Sequence, residues 1–322
     1  MNSGPMPDGP DFHRVARPTT FIRAPRLSER LGAEVTLATE TFQITGSFKF
    51  RAAYRVAASV EARELIAASS GNFGQALAAA CRLFGKRCTI VMPAGSARVK
   101  IEAVCAAGGV VELVDTARTS RAERVRRLAA ERPNAYVASA YDDPLVIAGN
   151  ATLGAELAAE AVRAGGFEAV IAPVGGGGLS AGIVVGLRAA GDATPVWGAE
   201  PALGNDAAES LRQGRLVANP SEPATLADGA RTLSLGAHNW TVLRTGLAGI
   251  VEVGEDAIAE SVRLLFSLAN LKAEPTGALA VAALLAAAGR WRGRVCCVVS
   301  GGNVDPELYA ALLAAPGAPP AP

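Results

Sequence analysis

The chain has 322 residues, of which 50% are hydrophobic, and its 31 basic and 30 acidic side chains leave a formal charge of +1. At about 100–200 residues per domain, this length predicts two domains with well-filled cores. The even charge, without a basic run that contains interleaved aromatic residues, argues against nucleic acid as a partner. Five cysteines without a CxxC pair argue against a disulfide framework. Only two histidines, His13 and His238, make a Ser-His-Asp triad or a multi-histidine zinc site hard to build.

The N-terminal segment does not have the pattern that is expected of a signal peptide. Residues 1–18 lack the apolar segment of a signal peptide, and no apolar run approaches the roughly 20 residues of a membrane span. We expect a soluble, cytoplasmic protein without a membrane partner. Its N-terminus is expected to be loose, and so is the Pro/Ala-rich tail after Ala314.

The first segment with chemical content is ITGSFKFRAA, residues 44–53. Gly46 and Ser47 predict a turn and an N-cap for a helix that begins near Phe48. A lysine on the first turn of a helix is ordinarily an exposed stem and charge. Here Phe48 and Phe50 flank Lys49, and desolvation by such neighbours lowers the pKa of a lysine, as an amine that attacks a carbonyl requires. Both interpretations of Lys49 remain open at this point.

From about residue 64 onward, short β-rich runs alternate with alanine-rich helical stretches, which is typical of an α/β protein with a parallel sheet. The predicted strands are ELIAA, RCTIVM, VVELV, AYVAS, AVIAPV, PVWGAE and VCCVV, and the predicted helices cover residues 74–84, 97–107, 118–131, 146–164 and 179–190. Cys296 and Cys297 are adjacent in a predicted strand, so their side chains should point to opposite faces.

Three glycine-rich or small polar loops follow predicted strands: SSGNFGQ at 69–75, PVGGGGLSAG at 173–182 and SGGN at 300–303. The carboxyl ends of strands are where α/β sheets bind ligands. In the second loop, four consecutive glycines before a helix expose backbone N–H groups that suit a phosphate, although a flexible turn has the same composition. A rival interpretation is a dinucleotide fingerprint with Glu200 as the ribose-binding acid, but Ser180 breaks the G-x-G-x-x-G pattern.

Taken in order, TETFQITGSFKFRAA, SSGNFGQALA, PVGGGGLSAG, AEP, ADG, EPTGA and SGGNVD resemble the pyridoxal-phosphate enzymes of the threonine/serine dehydratase and serine racemase family, of the tryptophan-synthase-β fold type. The resemblance spans about residues 18–306. It implies a two-domain α/β fold with open parallel sheets and the cofactor in the interdomain cleft. A large pyridoxal-phosphate domain would comprise residues 1–40 and 141–322, and a small inserted domain residues 41–140. It also implies a homodimer.

The resemblance assigns roles to the matched positions. Lys49 would form a Schiff base with the aldehyde of pyridoxal 5'-phosphate and later act as the base at the substrate α-carbon. Asn72 would bind the cofactor 3-hydroxyl, and Ser300 would lie at the pyridine nitrogen. The implied cofactor-binding residues are Phe48, Lys49, Asn72, Gly175, Gly176, Gly177, Gly178, Leu179 and Ser300. The implied substrate-binding residues are Ser69, Ser70, Gly71, Asn72 and Phe73.

The resemblance also predicts the reaction. A neutral hydroxyl at the pyridine nitrogen favours prompt loss of a β-leaving group, so we expect α,β-elimination of a β-hydroxy amino acid, such as threonine, serine or an aryl-serine, to a 2-oxo acid and ammonia. Ser70 matches the second acid–base hydroxyl of serine racemases, or it merely shapes the carboxylate loop. The alternatives are amino acid racemisation, β-replacement and a non-catalytic amino-acid-binding relative.

Two further features of the sequence bear on metal binding and on substrate size. Glu200, Gly204 and Asp206 match the spacing at which some members of the family hold a divalent cation, and oxygen ligands suit Mg²⁺ or Ca²⁺. Acidic residues in a loop are otherwise usually solvated. Phe73 stands where the family usually has histidine, which motivates the hypothesis of a substrate larger than serine.

Overall fold

The computed structural model describes residues 12–69, 71–96 and 98–314, which form two sheets. The order in the six-stranded sheet is β1 (Thr20–Arg23), β2 (Glu34–Thr39), β10 (Arg294–Val299), β7 (Ala169–Pro173), β8 (Val196–Pro201) and β9 (Leu247–Val253). The order in the four-stranded sheet is β5 (Val110–Val114), β4 (Arg87–Pro93), β3 (Glu64–Ala68) and β6 (Tyr136–Val137). All pairings are parallel except that of β1 with β2.

Helices cover the sheets, as parallel sheets require because both of their faces are apolar. They are α1 (Phe12–Val15), α2 (Pro25–Leu31), α3 (Lys49–Ser59), α4 (Asn72–Leu83), α5 (Arg98–Ala106), α6 (Arg121–Glu131), α7 (Pro144–Ala164), α8 (Gly178–Ala189), α9 (Asp206–Gln213), α10 (Ala237–Gly246), α11 (Glu255–Ala269), α12 (Pro275–Ala286) and α13 (Pro306–Ala314). Two 3₁₀ turns, Ala202–Gly204 and Asp228–Ala230, lie between them.

The predicted α/β fold class is confirmed, and each of the seven predicted strands is present, although AYVAS forms only the two-residue β6. Strands β1, β2 and β9 were not predicted. Cys296 and Cys297 belong to different apolar clusters on the two faces of the six-stranded sheet, as the alternation in a strand predicts. The strands of the smaller sheet all lie within residues 64–137, inside the segment predicted as the inserted domain. The division into two domains itself stays a prediction.

The N-cap prediction for Ser47 is wrong. Helix α3 begins at Lys49 with Phe48 in the cap position and no side-chain cap, and the buried Ser47 hydroxyl has no hydrogen-bond partner among the described residues. Ser47 instead forms an isolated antiparallel bridge with Gly301. Tertiary pairing with the SGGN loop therefore outweighs the local capping preference of serine.

Helix α7 is long and apolar enough to cross a membrane by length and composition, contrary to the expectation that no segment approaches a span. Half of its apolar stretch is buried in the fold. A Cβ on Gly149 would lie 2.6 Å from the carbonyl oxygen of Arg51, and one on Gly154 would lie 2.6 Å from that of Ile183. Close packing between α3 and α8 therefore accounts for the apolar composition of α7. Residues 1–11 and the predicted tail after Ala314 lie outside the described residues.

Candidate active site

Lys49 does not lie on an exposed helix surface. Its side chain is half-buried and its ammonium donates a hydrogen bond of 2.7 Å to the carbonyl of Ala140. The Phe48 and Phe73 rings lie 5.0 and 5.8 Å from Nζ. Burial of the amine lowers the pKa of Lys49 from 10.5 to about 8, although the charge of Glu274 acts in the opposite direction. At pH 7 about a tenth of such an amine is unprotonated, far more than of an ordinary lysine, and the unprotonated form is the one that attacks a carbonyl.

Glu274, the first residue of the EPTGA motif, is a buried carboxyl group whose charge acts on this lysine, and it was not among the predicted site residues. Burial, together with the charge of Asp228, raises the pKa of Glu274 to about 8, against the opposing effects of Asn72, Lys100 and Lys49. The Asn72 amide donates to its Oε1 at 2.7 Å. Lys49 and Glu274 are thus close enough for their charges to interact, and burial shifts the pKa of each towards favouring its uncharged form.

Asn72, at the first position of α4, is held from both sides. Its Nδ2 donates to Glu274, and its Oδ1 accepts a hydrogen bond of 2.8 Å from the Asn303 amide. Asn303 also donates to the carbonyl of Thr45 at 2.7 Å. The line Asn303–Asn72–Glu274 therefore connects the SGGN loop, the SSGN loop and the EPTGA segment.

The glycine loop lies between β7 and α8 and is closely packed. An ideal Cβ on Gly176 would lie 2.2 Å from the Tyr141 ring, and one on Gly178 would lie 2.8 Å from the Tyr141 carbonyl oxygen. Gly177 has a φ of 89°, in the left-handed region that favours glycine. The buried Asn239 amide donates to the carbonyls of Gly176 at 2.6 Å and Tyr141 at 3.0 Å. These contacts hold the loop on several sides, which argues against a flexible turn.

Two hydrogen bonds to backbone carbonyls connect the Lys49 segment with the glycine loop and with Ser300. The carbonyl that accepts from Lys49 belongs to Ala140, next to Tyr141, whose ring contacts the glycine loop. The backbone N–H of Phe48 donates to the carbonyl of Ser300 at 3.0 Å. The three loops predicted to carry ligands therefore converge around the lysine, as the carboxyl ends of parallel strands should.

The predicted cofactor fits these residues. Backbone N–H groups in the first turn of α8, which begins at Gly178, have no intrahelical partner and face the positive end of the helix dipole. A phosphate is the group that such a turn, preceded by close-packed glycines, accommodates. Leu179, on the same turn, is buried. An amine of lowered pKa beside the loop suits an aldehyde.

Ser69, the first residue of the SSGN motif, is linked to the start of α4. Ser69 Oγ accepts hydrogen bonds from the backbone N–H groups of Gly71 at 3.3 Å and Gly74 at 3.0 Å. Phe73 is only 2% exposed and belongs to the core beneath α3 and α4. Its ring therefore approaches the Lys49 ammonium from the side of the core. Ser70 lies outside the described residues.

Two residues after Lys49, Arg51 anchors α3 to the remainder of the fold. Its fully buried guanidinium donates from Nε to Glu40 at 2.7 Å and from Nη2 to Glu156 at 2.9 Å. Further hydrogen bonds reach the hydroxyls of Thr19 at 2.8 Å and Thr152 at 3.0 Å. Glu40 follows β2 and Glu156 lies on α7, so the first turn of the lysine helix is fixed to two other elements.

The predicted cation ligands lie together at the carboxyl end of β8. Both oxygens of the buried Glu200 carboxylate accept backbone N–H groups of α9, from Ala207 at 2.8 Å and Ala208 at 2.9 Å. Burial, and then the charge of Asp206, raise the pKa of Glu200, and burial raises that of Asp206 to about 6. Asp206 Oδ2 is buried without a hydrogen-bond partner among the described residues. Two neighbouring carboxylates with an unused oxygen fit a divalent cation.

Comparison with known proteins agrees with this site. A family model described as "Pyridoxal-phosphate dependent enzyme" matches residues 13–301. The chain belongs to this family. It is 36% identical over 303 residues to an L-threo-3-hydroxyaspartate ammonia-lyase of Pseudomonas sp, with 92% of this chain and 93% of that protein covered. It is 31% identical over 305 residues to a serine racemase of Schizosaccharomyces pombe, with 93% of each covered.

Among solved structures, a threonine deaminase from T.th. aligns with a TM-score of 0.87 and 40% identity, over 91% of this chain and 95% of that one. These similarities confirm the predicted pyridoxal-phosphate enzyme of threonine/serine dehydratase-like and serine racemase-like type, with its α/β fold of parallel sheets. The nicotinamide interpretation of the glycine loop is wrong. The individual residue roles at the site stay predictions, supported by the convergence of the three loops.

Proposed function

We propose that this pyridoxal-phosphate enzyme removes the α-proton and the β-hydroxyl of a β-hydroxy amino acid and releases a 2-oxo acid and ammonia. The observation that carries the proposal is the state of Lys49. Its amine is enclosed, has a pKa lowered to about 8, and is linked through Ala140 to the glycine loop. An amine in this state is both a nucleophile and a base at neutral pH.

Each residue of the site has a distinct task. Pyridoxal phosphate supplies an aldehyde that binds amines and a ring that withdraws electrons from the α-carbon. Lys49 takes the α-proton. The backbone N–H groups around Gly175–Gly178 hold the phosphate, and Asn72 is held in one orientation by Glu274 and Asn303. The N-terminal turn of α4 offers N–H groups for the substrate carboxylate.

Racemisation is the second candidate, favoured by the similarity to a serine racemase. It needs an acid–base group on the cofactor face opposite Lys49, and Ser70 is the residue proposed for it. Product analysis separates the alternatives: a 2-oxo acid for elimination, the mirror-image amino acid for racemisation, and a new thioether or thiol for β-replacement.

The size of the substrate is proposed to depend on Phe73. The ring replaces the family's usual histidine and forms an apolar wall near Lys49. Replacing Phe73 with histidine should therefore change the ratio of kcat/KM values for L-threonine, L-serine and L-phenylserine. An unchanged ratio would end this hypothesis.

Three further proposals concern the molecule beyond the lysine site. We propose that Glu200, Asp206 and the carbonyl of Gly204 bind Mg²⁺ or Ca²⁺, supported by the unused oxygen of Asp206. Chelation should then lower the Tm, and Mg²⁺ or Ca²⁺ should restore it.

We also propose a homodimer in the cytoplasm, which sedimentation and cell fractionation would test.

The experiment for the main proposal is absorbance of the purified protein in the near-ultraviolet and visible range, before and after L-threonine, L-serine or L-phenylserine is added. A cofactor band that Lys49→Ala lacks and that changes as 2-oxo acid accumulates supports the proposal. A band without a 2-oxo acid would move the function to racemisation or β-replacement. No band even after pyridoxal phosphate is added would overturn it.

A further inference from the structure

Lys100, on α5, lies at the rim of the site, but the reaction as proposed above gives it no role. Its ammonium forms an ion pair of 2.9 Å with Asp228, and the two side chains are 33% and 44% exposed. Lys100 belongs to the segment predicted as the inserted domain, and Asp228 to the part that carries the glycine loop. The pair therefore joins the two sides of the predicted cleft.

The surroundings of Asp228 place this pair next to the cofactor site. Asp228 begins the 3₁₀ turn Asp228–Ala230, and a Cβ on Gly175 of the glycine loop would lie 2.9 Å from Ala230 Cα. The next residue, Gly229, donates its N–H to the Thr276 hydroxyl at 2.9 Å, two residues after Glu274. The charges of Lys100 and Lys49 both act on Glu274. Lys100 is thus a second cation, besides Lys49, that lies near Glu274 and the glycine loop.

A substrate with one carboxylate needs no second cation, because the N-terminal turn of α4 suffices for one anion. An amino acid with a further carboxylate on its β-carbon does need one, since a charge removed from water without a partner is costly. Lys100 is mobile enough for that task, being partly exposed on a flexible stem. Without substrate, Asp228 is the carboxylate that pairs with Lys100. The second carboxylate of such a substrate would take its place.

We propose that Lys100 recognises a second carboxylate on the β-carbon of the substrate, and that this carboxylate replaces Asp228 as its partner. The proposal rests on the proposed function and names its substrate class, the 3-hydroxy dicarboxylic amino acids. The relative at 36% identity is named for such a compound, L-threo-3-hydroxyaspartate.

The first test compares elimination of L-threo-3-hydroxyaspartate with that of L-threonine in Lys100→Gln, Lys100→Arg and Arg98→Gln holoenzymes. Arg98 is the matched control, because it lies on the same helix but forms its ion pair with Glu102 in solvent. In Lys100→Gln, the ratio of the two kcat/KM values should fall by about 10-fold or more, the effect of removing one charge partner. Lys100→Arg should keep most of the ratio, and Arg98→Gln all of it.

The second test does not depend on turnover. Calorimetric binding of succinate, a dicarboxylate, is compared with that of butanoate, a monocarboxylate, in the holoenzyme. Lys100→Gln should weaken succinate by about 10-fold relative to butanoate. Asp228→Asn removes the competing carboxylate and should tighten succinate binding.

The outcomes separate this inference from the proposed function. Equal losses for both substrates or both ligands in Lys100→Gln would overturn it, as would weaker succinate binding in Asp228→Asn. Elimination of L-threonine without elimination of L-threo-3-hydroxyaspartate would overturn the inference and leave the proposed function standing. If no amino acid is eliminated, the proposed function fails, and succinate binding still decides the role of Lys100.

Discussion

Lys49, which is half-buried, and Arg51, which is fully buried, are cations two residues apart on the same helix, yet their surroundings differ completely. Arg51 has two carboxylates, Glu40 and Glu156, within 2.9 Å. Lys49 has a carbonyl oxygen and two aromatic rings, and no carboxylate forms an ion pair with it among the described residues. Burial alone lowers the pKa of both groups, but the two carboxylates reverse this effect at Arg51 and raise its pKa.

The difference separates two uses of a buried charge. A guanidinium whose donors are satisfied by carboxylates and hydroxyls stays charged and fixes the first turn of α3. An ammonium without such partners is destabilised and becomes reactive. The rigid anchor at Arg51 holds the reactive group at Lys49 in position, since a catalytic side chain works best on an element that does not move.

The largest effect is expected for the substitution of Lys49. Lys49→Ala should abolish the visible cofactor band and lower the elimination rate by on the order of 10³-fold or more, as loss of a positioned base does. The apoprotein Tm should not fall at pH 7, because a destabilised charge is removed. Calorimetry of the apoprotein beside the wild type provides the check, and a clear loss of stability would show that Lys49 is a structural residue.

Arg51→Met should, unlike Lys49→Ala, lower the stability of the fold. It leaves Glu40 buried without its cation, which typically costs about 3–5 kcal/mol in the free energy of unfolding. Arg98→Met, which breaks an exposed pair with Glu102, should cost less than about 1 kcal/mol. Urea unfolding of both variants measures the difference. Similar values for the two would mean that the buried network does not anchor α3.

The two carboxylates of the anchor should not be equivalent. The Glu40 side chain is 1% exposed and that of Glu156 is 25% exposed, so Glu40→Gln should cost about 2 kcal/mol or more and Glu156→Gln about 1 kcal/mol. Burial raises the pKa of Glu156, but Arg51 and Thr19 lower it to a net value below 4.5. Its contribution is therefore present above pH 4.5 and is lost as the pH falls below that value.

The acid limb of the unfolding curve tests this sign. Wild-type stability should fall as the pH drops from 4.5, and Glu156→Gln should show a smaller fall over the same range. A curve of unchanged steepness in the variant would mean that Glu156 does not titrate with folding.

Residues that stand in a recognisable motif could be predicted from the sequence. Residues that come together only in the folded chain could not. Lys49 and the glycines stood out as local signals, and the resemblance of the ordered motifs to a family implied their roles. Glu274 and Lys100 were missed as site residues, since nothing local shows that a carboxyl in EPTGA is buried beside a lysine 225 positions earlier in the chain. Strands β1 and β9, which were missed, lie at the edges of the six-stranded sheet, and most of their residues are only half-buried.

The interaction between Glu274 and Lys49 leads to the smallest and most specific predicted effect. The negative charge of Glu274 opposes the lowering of the Lys49 pKa, so Glu274→Gln should lower that pKa further. Because only the unprotonated amine reacts with an aldehyde, the rate at which apoprotein regains its cofactor band should rise with pH through a midpoint near 8 in the wild type. The midpoint should lie at lower pH in Glu274→Gln.

Glu102→Gln is the control, since this carboxylate is paired with Arg98 on the surface and should leave the midpoint unchanged. A midpoint at the wild-type pH in Glu274→Gln would mean that the two buried groups do not sense each other. A midpoint at higher pH in Glu274→Gln would mean that the wild-type carboxyl stays protonated over this pH range and donates a hydrogen bond to the neutral amine of Lys49. An ionised Glu274 would instead stabilise the ammonium, so its removal would move the midpoint to lower pH. The sign of one small shift therefore reports the charge state of the carboxyl that holds Asn72.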